Sequence, residues 1–189
     1  MPQKNIIVLA DNDLGNSEVS SQTPTNSNLF VAEVLSTNDV LTIYSNVCVK
    51  GAIHVDSLIV HGNLICYGPI SATHLEVFGK LIVYSDVTID ENLCVEDDVI
   101  VKGQIIADNV AVFGDIITNY LDANKIYCNN DIICTDKGIS LLFRKELIAK
   151  KVFCDGDIIF DYPDSDFDTP PFILKVDIIN SKNMRVGVL

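Results

Sequence analysis

The sequence predicts an all-β protein, a single-stranded parallel β-helix (β-solenoid) whose triangular coils are about 17 residues long. Three observations carry this reading. A tetrapeptide recurs at a nearly constant spacing, as Gly62-Asn63-Leu64-Ile65, Gly79-Lys80-Leu81-Ile82, Asp97-Asp98-Val99-Ile100, Gly114-Asp115-Ile116-Ile117, Asn130-Asp131-Ile132-Ile133 and Gly156-Asp157-Ile158-Ile159. Apolar residues come as apolar-x-apolar triplets such as Val47-Cys48-Val49, Ile53-His54-Val55 and Leu58-Ile59-Val60, separated by polar residues or glycine. Written one coil above the next, the triplets fall into columns that stay in phase.

The elements follow in chain order. Residues 1–28 hold one apolar stretch, Ile6 to Leu9, then Asp11-Asn12-Asp13 and a polar run from Asn16 to Asn28. Such a composition buries too little apolar area to offset backbone ordering, at roughly 1 to 2 kcal/mol per residue, so a mobile N-terminal arm is expected. From Leu29 to about 160 the triplets read as strands too short for hairpin arms, three to a coil. The first face carries Ile53, Ile70, Val87, Ile105 and Leu121, and the second Leu58, Leu75, Leu93, Val110 and Ile126. The third carries Leu64, Leu81, Val99, Ile116 and Ile132. At a strand spacing of about 4.8 Å, some seven coils would make a rod of roughly 30 to 35 Å.

Between the second and third faces stand Gly62, Gly79, Asp97, Gly114, Asn130 and Gly156, residue types that tolerate the positive φ of a sharp corner. After Ile139 the period slips, and an insertion near 140–152 is expected, as a loop or a short helix on an otherwise regular coil. Residues 161–189 read as an acidic, proline-bearing linker followed by strands that cap the rod.

Composition narrows the function classes. With 189 residues, 48% of them hydrophobic, the chain suffices for one domain with a continuous core. Acidic residues outnumber basic ones 26 to 13, and a formal net charge of -13 argues against electrostatic binding to nucleic acid or to anionic lipid. No apolar run reaches membrane-spanning length, and Ile6 to Ala10 lacks the flanks of a signal peptide, so a soluble, cytoplasmic protein is expected. The six cysteines include no CxxC pair and favour neither a zinc site nor a disulfide framework. Cys66, Cys128 and Cys134 fall at inward positions, Cys48 and Cys94 at outward ones.

The middle residue of each triplet points outward, and on the third face these residues are Ile65, Ile82, Ile100, Ile117, Ile133 and Ile159, the candidate interaction strip. Burying such a side chain is worth roughly 1.5 to 3 kcal/mol, so the strip is expected to be covered. The chain's own tail (Phe172 to Ile179) or arm (Ile6 to Leu9), another subunit or protein partner, and a lipid surface are the alternatives. Beside the corner, Asp98, Asp115, Asp131 and Asp157 form a column of carboxylates whose repulsion a divalent cation would relieve. The GGxGxD signature of calcium-binding β-rolls is absent, however, and no metal or cofactor is expected.

His54, His61 and His74 are the only bases for neutral-pH chemistry, and no spacing pairs them with a carboxylate or a nucleophile. The repeat lacks the strict hexapeptide of acyltransferase β-helices, and its turns are too short for a polysaccharide-lyase cleft. No catalytic residue is expected.

The stretch from Val49-Lys50-Gly51-Ala52-Ile53 to His61-Gly62, repeated from Val101-Lys102-Gly103-Gln104-Ile105 to Phe113-Gly114, resembles bactofilins over about residues 40 to 135. That resemblance implies a compact β-helix with flexible ends that polymerises end to end without nucleotide. Against the family's short polar termini, this chain adds an irregular coil and an apolar tail, Phe172 to Leu189, which would cap a rod. Two functions follow as expectations: a non-enzymatic structural protein that self-associates end to end, or a discrete acidic β-helix, of the effector or immunity-inhibitor type, that engages a protein partner.

Overall fold

The computed structural model describes residues 6–9, 28–161 and 173–187, and among them there are strands and turns but no helix. The strands are β1 (Ile6–Leu9), β2 (Asn28–Val31), β3 (Leu35–Ile43), β4 (Asn46–Val49), β5 (Ile53–Val60), β6 (Leu64–Cys66), β7 (Ile70–Val77), β8 (Leu81–Val83) and β9 (Val87–Val95). They continue as β10 (Val99–Val101), β11 (Gln104–Val112), β12 (Ile116–Thr118), β13 (Tyr120–Cys128), β14 (Asp131–Cys134), β15 (Ile139–Cys154), β16 (Asp157–Asp161), β17 (Ile173–Asn180) and β18 (Asn183–Gly187). All pairings are parallel, and through the regular coils each strand pairs with the strand two elements on, as β4 with β6 and β5 with β7. The chain is a parallel β-solenoid of about eight turns.

The columns form because period two sends alternate side chains inward, and stacking the coils leaves each inward residue directly over the one a coil earlier. Leu64, Leu81 and Val99 are vertical neighbours, as are Leu58, Leu75 and Leu93. Every residue of the three columns is buried to within 2% of complete. First and second faces share one long strand per coil, bent at a polar segment; there coil length varies, as where Asp90-Glu91 lie opposite the single residue Asp108. The third face is built by short strands, and no register shift interrupts it from β1 to β15.

Several expectations are corrected. Residues 140–152 are neither loop nor helix, since β15 is one continuous strand that passes over all three faces: Leu141 stacks on Leu121, Leu147 on Ile126 and Val152 on Ile132. The additional residues of that coil sit mainly in the exposed turn at 135–138, where the Gly138 N–H donates to the Asp136 carboxylate at 2.6 Å.

This moves the last tetrapeptide to another face. Ile158 stacks on Leu141 of the first face, and Gly156 lies at the corner that leads into that face, against Gly138 and Ser140. The third-face ladder continues from Ile133 to Phe153, not to Ile159, which is 6% exposed.

The corner glycines are also explained differently. None of Gly51, Gly62, Gly68, Gly79, Gly103, Gly114, Gly138 and Gly156 has a left-handed φ; at all of them but Gly138 the coil beneath is what excludes a side chain. A Cβ on Gly114 would stand 2.7 Å from the Asp97 carbonyl carbon, and one on Gly79 2.9 Å from Gly62 backbone.

Both ends differ from expectation as well. Ile6–Leu9, placed in a mobile arm from sequence, pairs in parallel with β2, Ile7 opposite Leu29. The rest of that arm and the linker at 162–172 lie outside the described residues. The tail strands do not turn back along the isoleucine strip. β17 stacks on β15 and β18 on β16, in parallel, which adds one more layer of the solenoid.

Candidate interaction surface

The outward column of the third face runs Phe30, Cys48, Ile65, Ile82, Ile100, Ile117, Ile133 and Phe153. Stacking along the rod covers part of each side chain, so most are half-buried and Ile117 is 37% exposed. Of the six isoleucines expected there, five share this column. The comparable column of the first face carries His54, Ser71, Thr88, Ile106 and Asp122, polar except at Ile106, before it continues to Leu142 and Ile159.

Aromatic ladders that the sequence reading missed flank the strip. At the corner before the third face, Tyr44 and His61 stack with centroids 4.5 Å apart and 8° between planes, and His61 and Phe78 at 4.6 Å and 13°. At the corner after it, Tyr67 and Tyr84 stack at 4.8 Å, with Lys50 Nζ 3.7 Å from the Tyr67 ring centre. These separations match the strand spacing, so the backbone sets them without adjustment. A signal was available: Tyr44, His61 and Phe78 each follow the second-face triplet, one coil apart.

The carboxylate column has a structural occupation. Its rung positions are Asn28, Asn46, Asn63, Lys80, Asp98, Asp115, Asp131 and Lys151. Asn46 Oδ1 accepts the Asn63 N–H at 2.8 Å, Asn63 Oδ1 that of Lys80 at 2.8 Å, Asp98 that of Asp115 at 3.1 Å and Asp115 that of Asp131 at 3.1 Å. Lysines bracket the acids, with Lys80 Nζ 2.6 Å from Asp98 and Lys151 Nζ 3.9 Å from Asp131.

The Lys80 hydrogen bond, with the Asp115 N–H, holds the Asp98 carboxyl below its usual range; the same bond to Asp98 raises the Lys80 ammonium. Asp157, expected to extend the column, instead accepts from Asn183 Nδ2 at 2.8 Å. Among the described residues no three His, Cys, Asp or Glu side chains gather in a metal-binding arrangement.

Elsewhere the structure brings little chemistry together. His74 Nε2 lies 3.4 Å from Glu91, a pair the sequence spacing did not reveal, with both side chains well exposed on the bend between first and second faces. On the second face, the short side chain of Ala111 between Cys94 and Tyr127 leaves a surface hollow of about 310 Å³. Burial pushes the Cys94 thiol up, and Glu76 and Glu96 add to the effect, so the hollow holds no activated thiolate. Deeper thiols are raised further: burial pushes Cys66 and Cys128 each to about 11.

Fold and surface together define a parallel β-solenoid with one apolar, aromatic-edged face. No protein-family model, no curated protein and no solved structure matches the chain, so the resemblance to bactofilins rests on the repeat pattern. No helix among the described residues is long and apolar enough to cross a membrane.

Proposed function

We propose that the chain is a non-enzymatic scaffold of the cytoplasm that self-associates end to end through its outermost coils. One observation carries this reading: among the described residues the end strands of the sheet have a neighbouring strand on one side only. Among the described residues β1 and β3 pair on one side only, with β2 and β5, and at the other end β17 and β18 pair only with β15 and β16. A strand with a neighbour on one side only is a template for a strand of another copy, and head-to-tail stacking keeps the strands parallel. At the far edge Ile173, Ile178 and Met184 are 41%, 51% and 42% exposed. The raised Cys94 thiol and the exposure of the His74–Glu91 pair support a role without catalysis. Six free cysteines suit a reducing compartment.

Electron microscopy and sedimentation velocity of the pure protein test the reading. Rods or filaments are expected, shortened or lost when Ile173, Ile178 and Met184 are all changed to lysine. Monodisperse monomers at every salt concentration would overturn it. The aromatic ladders favour a second reading, a discrete acidic module that takes a protein partner on the third face; Ile100→Asp would then abolish partner binding in a protein that forms no filament.

A further inference from the structure

The geometry points to a lateral interface in which two copies pack third face to third face, side by side and pointing the same way, about a twofold axis parallel to the rod. This goes beyond end-to-end association and does not depend on it. Every coil crosses the third face between two corner residues, one before the strand and one after it. An axis along the rod sets the leading corner of each coil against the trailing corner of the same coil in the other copy.

In four of the seven rows from β4 to β15 those corners are complementary, and the other three set His61 against Tyr67, Phe113 against Asn119 and Asn129 against Thr135. Tyr44 would meet the Lys50 ammonium of the second copy, Phe78 would meet Tyr84, Glu96 would meet Lys102, and Lys150 would meet Asp155, with every one of these residues on the exposed surface. Reversing one copy about Ile100 would instead set Glu96 against Glu96 and Lys102 against Lys102. Between the corners the isoleucine column would meet itself, apolar against apolar.

Shape and size agree with this assignment. Because the third-face ladder runs from β1 to β15 without a register shift, the surface is a regular array that two copies can match over its whole length. The seven rows from β4 to β15, at about 4.8 Å and each about 20 Å from corner to corner, give about 700 Å² per copy, close to a standard interface side of about 800 Å².

Charge reversal tests the pairing in the full chain, with sedimentation equilibrium as the readout. Glu96→Lys puts like charges into both symmetry-related contacts and is expected to weaken dimerisation by about tenfold or more at low salt, while Glu96→Lys with Lys102→Glu restores it. In a Cys94→Ser background a short bis-maleimide should join the two copies through Cys48, which lies on the proposed axis.

Circular dichroism melts check that each variant folds. Dimerisation insensitive to Glu96→Lys, a double reversal that fails to restore it, or cross-linking through an introduced Ile100→Cys but not through Cys48 would each overturn the proposal. Assemblies lost with the three edge lysines but indifferent to Glu96→Lys would overturn it too, and leave end-to-end association standing.

Discussion

The carboxylate of Asp98 accepts the backbone N–H of Asp115 one coil further on, at 3.1 Å, and Asp115 repeats the contact with Asp131. Asn46 and Asn63 make the same bond from the same rung. What the position requires is therefore an acceptor oxygen held over the next coil's amide, and charge is secondary. Asp115→Asn should leave the urea midpoint almost unchanged, whereas Asp115→Ala, which strands the Asp131 amide, should cost about 1 to 2 kcal/mol. Equal losses in the two variants would show that charge carries the contact.

The Lys80–Asp98 pair predicts an acid limb. Asp98 is held below its ordinary value by the Lys80 hydrogen bond and then by the Asp115 amide. A carboxyl depressed in the folded state adds stability that is present above its unfolded value, about 3.9, and is lost as pH falls through the lower folded one. Lys80 has the opposite sign: its raised ammonium adds stability below about 10.4 that is lost at more alkaline pH. In Lys80→Met both limbs should flatten, read as the pH dependence of the melting temperature. The change should be small, because water reaches both side chains.

Leu81 and Ile82 are neighbours with different tasks. Leu81 is fully buried in the third-face column between Leu64 and Val99, while Ile82 points out of the same strand. Leu81→Ala should cost about 2 to 5 kcal/mol by urea denaturation, because stacked coils leave little room to close the cavity. Ile82→Ser should leave the fold intact and weaken lateral pairing through the third face instead. Loss of folding in the second variant would show that the outward ladder is part of the core.

How far the sequence was legible depends on which interactions set each feature. The columns through Leu64, Leu58 and Ile53 were readable because period two and coil length, both local, decide them. Gly156 to Ile159 was misplaced because motif and register disagree there: the tetrapeptide is repeated, but the longer coil before it shifts it to the next corner, and only pairing of Phe153 with Ile133 reveals that. The strip was legible except at that end. Its aromatic rims were not legible, since Tyr44, His61 and Phe78 lie outside the triplets and gain meaning only when strand spacing brings their rings together.

Gly68 and Gly138 separate two reasons for a glycine at a corner. A Cβ on Gly68 would lie 2.6 Å from the carbonyl carbon and oxygen of Gly51, backbone of the preceding coil that cannot withdraw without opening the ladder. At Gly138 the nearest atom to a Cβ is the Asp136 carboxylate oxygen, at 3.2 Å, on a side chain in an exposed turn that can rotate away. Overpacking costs of about 1 to 3 kcal/mol apply to the first site, and surface tolerance within about 0.5 kcal/mol to the second. Gly68→Ala should therefore lower the melting temperature clearly, while Gly138→Ala stays close to the parent protein. If Gly68→Ala were equally silent, the coils would not approach as closely at that corner as the stacking of Gly68 on Gly51 requires.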